Sequence, residues 1–197
     1  MPNLYIIAGC NGAGKTTASY TILPEILHCR EFINADEIAR GISPFQPESV
    51  AILAGRIMLQ RIEEMLAEKQ DFAIETTLTT KTYAATIKRA RKEGYKITLL
   101  FLWLPDVTMA LKRVKLRVSE GGHNIPTEVI KRRYKKGIVN LFDEFMDLCH
   151  HWMIVDNSAK IFKFVADGEE TSNKRVTNIY ENEKWAALQK QAKTFRN

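Results

Sequence analysis

The chain has 197 residues, 45% of them hydrophobic and 26% charged, with a formal net charge of +6. That length suits one domain, or a core with a small lid, and the composition is ordinary for a globular protein. No apolar stretch approaches the ~20 residues a membrane-crossing helix needs, the opening Met1-Pro2-Asn3-Leu4-Tyr5 lacks the charged region of a signal peptide, and Cys10, Cys29 and Cys149 are too widely spaced for a metal site, so a reducing cytoplasm is expected and a disulfide framework is not.

Residues 4–8 are an apolar run of strand length, and they lead straight into Gly9-Cys10-Asn11-Gly12-Ala13-Gly14-Lys15-Thr16. This is a complete G-x-x-x-x-G-K-[ST] phosphate loop in the strand-then-helix setting the chemistry needs. Gly9, Gly12 and Gly14 let backbone N–H groups curl around an anion. Lys15 reaches the β- and γ-phosphates, the Thr16 hydroxyl can ligate Mg²⁺, and the following helix points its positive end at the phosphates. Asn11, Ala13 and Thr17 complete the expected nucleotide contacts, and Cys10 fills a variable position.

The helix after the loop is predicted over residues 15–23, stopped by Pro24. Residues 31–35 read as a short second strand. A long helix is expected over residues 48–69, with Val50, Leu53, Ile57, Ile62, Met65 and Leu66 as a core-facing stripe. Residues 71–75 read as a third strand and 80–93 as a helix closed by Gly94. Residues 95–104 form the most apolar strand, expected to be central. A helix from Pro105-Asp106 to about Ser119, the Glu-Gly-Gly-His-Asn loop and a helix from Pro126 to about Leu148 follow. Two more strands are expected at 152–155 and 161–165, and an amphipathic helix over 176–197 with Ile179, Trp185, Leu188 and Phe195 packing.

Alternating strand and helix signals predict an α/β fold of the P-loop NTPase kind, with a mostly parallel sheet flanked by helices. Ligands then belong at the carboxyl ends of the strands. The polar residues falling there are the phosphate loop, Asn34-Ala35-Asp36, Glu75-Thr76-Thr77 and Asp156-Asn157. Asp36 suits a general base that orients an attacking hydroxyl and accepts its proton, or equally a helix N-cap. Glu75 suits Mg²⁺ or the substrate's hydroxyls, with Thr76 and Thr77 beside it, and Asn157 falls on the nucleotide side.

Residues 81–136 hold 15 Lys or Arg against four acids, a local balance of +11. A basic segment confined to the middle of a phosphate-handling chain fits a lid over residues 107–137 gripping anionic ligands better than a general nucleic-acid surface. Arg113 and Arg117 lie one helical turn apart, and Arg132 and Arg133 follow the glycine loop. Arg117 and Arg133 are chosen as the charge-neutralising pair, because a planar fork matches phosphate oxygens. His123 is expected to touch ligand or fix the hinge.

These residues together make the chain resemble the zeta toxin family of phosphate-loop kinases. The likeness covers residues 4–157 and rests on Ile6 to Thr17, on Phe32-Ile-Asn-Ala-Asp-Glu-Ile-Ala39, on Glu75-Thr-Thr-Leu78, and on Arg117-Val-Ser-Glu-Gly-Gly-His-Asn-Ile-Pro126 leading to Arg132-Arg-Tyr134. The resemblance implies a nucleoside-kinase-like fold with Lys15 as the phosphate lysine, Asp36 as the base, Glu75 as a substrate-binding acid and lid arginines as the clamp. It also implies ATP or GTP as donor, Mg²⁺, an acceptor such as the sugar 3′-hydroxyl of UDP-N-acetylglucosamine, and a small antitoxin as partner. A polynucleotide or nucleoside end kinase, and a regulatory nucleotide-binding module, are the alternatives. An ABC-type ATPase is excluded, since the chain has no Leu-Ser-Gly-Gly-Gln signature.

Overall fold

The computed structural model describes residues 1–122, 124–171 and 174–196. β1 (Asn3–Ala8), β2 (Phe32–Ile33), β3 (Phe72–Thr76), β4 (Lys96–Trp103), β5 (His151–Asp156), β6 (Lys163–Glu170) and β7 (Arg175–Ile179) form one sheet in the order β2-β3-β1-β4-β5-β6-β7. The pairings from β2 to β5 are parallel, and β6 and β7 add an antiparallel hairpin. β4 is the middle strand, as its apolar run predicts. Its neighbour β1 buries Leu4, Ile6, Ile7 and Ala8 completely or nearly so. Helices are required between parallel strands and cover the sheet: α1 (Lys15–Thr21), α2 (Ala35–Ile42), α3 (Ala51–Glu68), α4 (Lys81–Lys92), α5 (Val107–Ser119), α6 (Thr127–Asn140), α7 (Met146–Leu148) and α8 (Asn182–Arg196).

Three expectations need correction. Pro24 does not stop the first helix, because the chain continues as a π-helical turn over Ile22–Ile26. In that wider turn the Leu27 amide bonds to the Ile22 carbonyl at 3.0 Å, and a residue without an N–H is absorbed. The α3 stripe is rotated: Ala54, Met58, Ile62, Met65 and Leu66 are buried, whereas Leu53 and Ile57 remain 46% and 37% exposed. α3 packs against α2 and β2, and that contact selects the Ala54–Met58 side. The tail is not helical from Val176, because Arg175–Ile179 pairs with β6 as an edge strand rich in β-branched residues. The helix begins at Asn182, and Ile179 is left 42% exposed.

α8 then runs along α6 and under the end of β4. Trp185 stacks on Trp152 with rings 5.9 Å apart and 8° from parallel. Gln191 accepts from the Trp103 indole at 3.1 Å and donates to the Pro105 carbonyl at 2.6 Å. Lys184 reaches the buried Asp156 carboxylate at 2.7 Å, and the Ser158 amide donates to the same group at 2.8 Å. Burial pushes the Asp156 carboxyl up, but Lys184 and Ser158 outweigh it and hold it below the usual carboxylate range.

A Lys184→Met variant leaves Asp156, 3% exposed, without its cation. The expected loss at pH 7 is about 2–3 kcal/mol by chemical denaturation, at the low end for a broken buried pair because Lys184 is partly solvated. A carboxyl depressed in the folded state contributes stability above its unfolded value and loses it as pH falls through the folded one. The gap between parent and variant therefore narrows below about pH 4. An undiminished gap at pH 3.5 would contradict this account.

Candidate active site

β1 delivers the chain to Gly9, whose φ of +144° and neighbours admit no side chain: an added Cβ would collide with the Leu102 carbonyl oxygen of β4. Gly14 is required chiefly by its φ of +85°, and a Cβ there would also meet the Asn157 side chain at 2.6 Å. Asn157 donates to the Ala13 carbonyl at 2.7 Å, so the end of β5 braces the loop. No side chain caps α1, which leaves its first amides directed at the loop. Lys15 is buried, donates to the Cys10 carbonyl at 3.0 Å, and lies 3.5 Å from Glu75. Burial pushes the Cys10 thiol up to about 11, so it is protonated and inert at neutral pH.

Glu75, near the end of β3, joins the loop to the next segment. One carboxylate oxygen accepts from the Thr16 hydroxyl and from the Asn34 amide, each at 2.8 Å. The Asn34 carbonyl oxygen accepts from the Asp36 N–H at 2.8 Å. Asn34, not Asp36, is therefore the N-cap of α2, which removes the capping alternative for Asp36 and leaves its carboxylate exposed. Thr76 is buried and caps the turn by accepting from the Leu78 amide at 3.0 Å, while the Thr77 and Thr79 hydroxyls lie 3.0 Å apart.

Two cavities meet at this point. The larger, about 720 Å³, is walled by the phosphate loop from Asn11 to Thr17, by Asp36 and Arg40 of α2, and by Arg113, Arg117, Gly121 and Gly122. The smaller, about 200 Å³, is lined by Asn34, Thr76, Thr77, Thr79, Thr80, Tyr83 and Arg133. Asn11, Lys15, Asp36 and Glu75 belong to both.

The two chosen arginines thus approach from different sides. Arg133 donates to Asn11 at 3.3 Å. Burial pulls its guanidinium below the usual value and Arg132 adds to this, while Asp36 opposes them. Arg132 itself is exposed. Arg113, passed over in favour of Arg117, holds the Ser158 carbonyl at 3.1 Å beside Gly12 and ties α5 to the loop. Its place one turn from Arg117 was the available signal. Asn34 falls in the strand-end set and in the Phe32–Ala39 block, but neither gives it a role of its own, and Tyr83 carries no motif. His123 lies outside the described residues. Among those described, no group of three or more His, Cys, Asp or Glu could hold a metal by itself.

Residues 1–184 match the zeta toxin family. The chain is also 30% identical over 126 residues to an uncharacterized protein of Haemophilus influenzae, covering 64% of this chain and 88% of that one. Among solved structures, it is similar to one described for the PezAT chromosomal toxin–antitoxin system of Streptococcus pneumoniae, at 16% identity and a TM-score of 0.61, covering 100% of this chain and 88% of that one. It is likewise similar to AvrRxo1-ORF1:-ORF2 solved with ATP, at 15% identity and a TM-score of 0.72, covering 95% of this chain but 63% of that longer one. The chain belongs to the zeta toxin family and is a phosphotransferase with a hydroxyl acceptor.

Gly9→Ala tests how firmly the loop is set. The methyl group meets a backbone carbonyl of the central strand, so a loss of about 2 kcal/mol or more is expected in thermal or chemical unfolding. Binding of a fluorescent ATP analogue should weaken at least about tenfold alongside it, which corresponds to 1.4 kcal/mol. Unchanged affinity would show that the loop conformation is not what receives the nucleotide.

Proposed function

We propose that this chain moves the γ-phosphate of ATP, or GTP, onto a hydroxyl of a nucleotide sugar of the UDP-N-acetylglucosamine type, with Asp36 as general base. The observation that carries this reading is the junction of the two cavities at Lys15, Asp36 and Glu75. One side offers phosphate-binding backbone and cations. The other offers threonine hydroxyls and a half-buried arginine, partners for the hydroxyl groups of a sugar.

In this reading the loop amides and Lys15 take the β- and γ-phosphates, and Lys15 exchanges the Cys10 carbonyl and Glu75 for phosphate oxygens. Arg117 from the larger cavity and Arg133 from the smaller flank the transferred group and neutralise charge on its equatorial oxygens. The low solvation of Arg133 strengthens its field at the reacting centre. Asp36 accepts the proton of the acceptor hydroxyl as the new P–O bond forms and the bond from the γ-phosphorus to the bridging oxygen breaks, releasing ADP. Thr16 and Glu75 are hard oxygen donors that fit a Mg²⁺ bringing phosphate and water ligands of its own, and the bound ion supplies further charge neutralisation. Glu75, Thr76 and Thr77 line the acceptor side, and Asn11, Asn157 and Thr17 the donor side. A small antitoxin protein is proposed as partner, by analogy with the toxin–antitoxin description of the Streptococcus pneumoniae structure.

Incubation with ATP and a panel of UDP-sugars, nucleosides, free sugars and oligonucleotides, read by mass, tests the acceptor: phosphorylated UDP-N-acetylglucosamine is expected, and no product from any nucleotide sugar would overturn that assignment. Asp36→Asn should lower turnover by about 10²–10⁴ with nucleotide affinity retained, the loss typical of a removed general base. Transfer at the parental rate would remove Asp36 from the chemistry. Induction in bacteria should arrest growth for the parent and not for Asp36→Ala, and equal growth of the two would sink toxicity by phosphorylation.

A further inference from the structure

Asn34 is 5% exposed and has both ends of its amide engaged. Its oxygen accepts from the Asp36 N–H and its nitrogen donates to Glu75, at 2.8 Å each. The opposite amide orientation would set the oxygen against a carboxylate and the NH₂ against an N–H, so the partners fix the flip. The Glu75 oxygen that takes the Asn34 proton is the one that takes the Thr16 hydroxyl. Two side chains therefore connect the phosphate loop to the start of α2. No other short side chain provides a donor and an acceptor at this spacing: Asp has only acceptors when ionised, and a single Ser oxygen cannot reach both partners.

The backbone at this place is thinly held. β2 has two residues, lies at the sheet edge, and is held to β3 in register at Phe32 and Ile33 and by the Ala73 amide on the Glu31 carbonyl at 2.7 Å. The side-chain bridge is thus a principal restraint on where α2 begins. It also responds to what the loop contains. While Lys15 lies 3.5 Å from Glu75, the carboxylate divides its charge among an ammonium, a hydroxyl and an amide. When phosphate draws the ammonium away, Asn34 keeps its bond to Glu75, and a Mg²⁺ held at Thr16 and Glu75 would fix the same carboxylate from the loop side, so that Asn34 carries the restraint to α2.

We propose that Asn34 is a positioning residue that, through Glu75, couples nucleotide at the phosphate loop to the placement of Asp36. This deepens the reading of Asp36 as base and takes its functional meaning from it. The coupling is nonetheless measurable without any acceptor. Hydrogen exchange of the peptide spanning residues 32–42 is followed with and without the magnesium complex of a non-hydrolysable ATP analogue. The parent should exchange at least about threefold more slowly when loaded, as expected for a locally stabilised helix start. Asn34→Ser keeps an oxygen for the Asp36 amide, but its one short hydroxyl, placed there, does not reach Glu75. It should bind the analogue within about threefold of the parent and lose the loading-dependent protection. Asn34→Asp, the same shape with a carboxylate facing Glu75, should lose it as well, and supplies the test if Asn34→Ser melts early. Loading-dependent protection of parental size in either folded variant overturns the coupling. Because no transfer is measured, failure of Asp36 as base would appear in the Asp36→Asn assay and leave this result untouched.

Discussion

The Glu75 carboxylate must be compensated where it stands, at the carboxyl edge of a parallel sheet and largely out of water. Its answer is to collect a hydroxyl from the phosphate loop, an ammonium from the same loop and an amide from the segment entering α2. Burying a carboxylate without such partners costs several kcal/mol, and with them the cost becomes a restraint on three chain segments at once. The phosphate loop, the smaller cavity and Asp36 between them are placed relative to one another by this one group. β5 contributes from the other flank, through Asn157 on the loop and Asp156 held by Lys184.

The charge arrangement follows the same division. The larger cavity has Arg113 and Arg117 on the α5 side, facing Asp36 and Arg40 of α2. The smaller one has Arg133 beside the threonine hydroxyls, with Lys15 at the junction the two share. The local +11 of residues 81–136 is therefore not a uniform basic surface. Much of it is engaged elsewhere: Arg89 pairs with Glu63, Arg91 with Glu170 and Lys88 with Glu144. The arginines of this segment that line the cavities come from α5 and α6, the helices either side of the glycine pair.

What the sequence made legible was whatever depends on local chemistry. The phosphate loop, the central β4, Gly94 at φ +90° after α4 and the strand-end acids were readable because spacing and residue type determine them. What escaped depends on tertiary contact. Leu53 and Ile57 have helical spacing as good as that of Met58, and only packing on α2 decides which face is inside. Val176 to Ile179 reads as the start of the tail helix, and becomes a strand because β6 offers an edge. Asn34 is one unremarkable amide in the chain, and its importance arises from Glu75, 41 residues away. Pro24 shows the converse limit, a strong local stop overridden by a change of helical register.

Tyr134 follows Arg133 on α6, and its hydroxyl is bonded to the Leu104 carbonyl at 2.8 Å while its ring meets Phe195 of α8 edge-on. Arg196 pairs with Asp143 just beyond α6, so the helix is fastened near both its middle and its far end. The Arg133 guanidinium is thus carried on an anchored stretch of helix and held by its bond to Asn11. Freezing so long a side chain would otherwise consume about 0.5–1.5 kcal/mol of whatever a ligand gains on arrival. Here that entropy is lost once, during folding, and the C-terminal helix is the part of the chain that absorbs it.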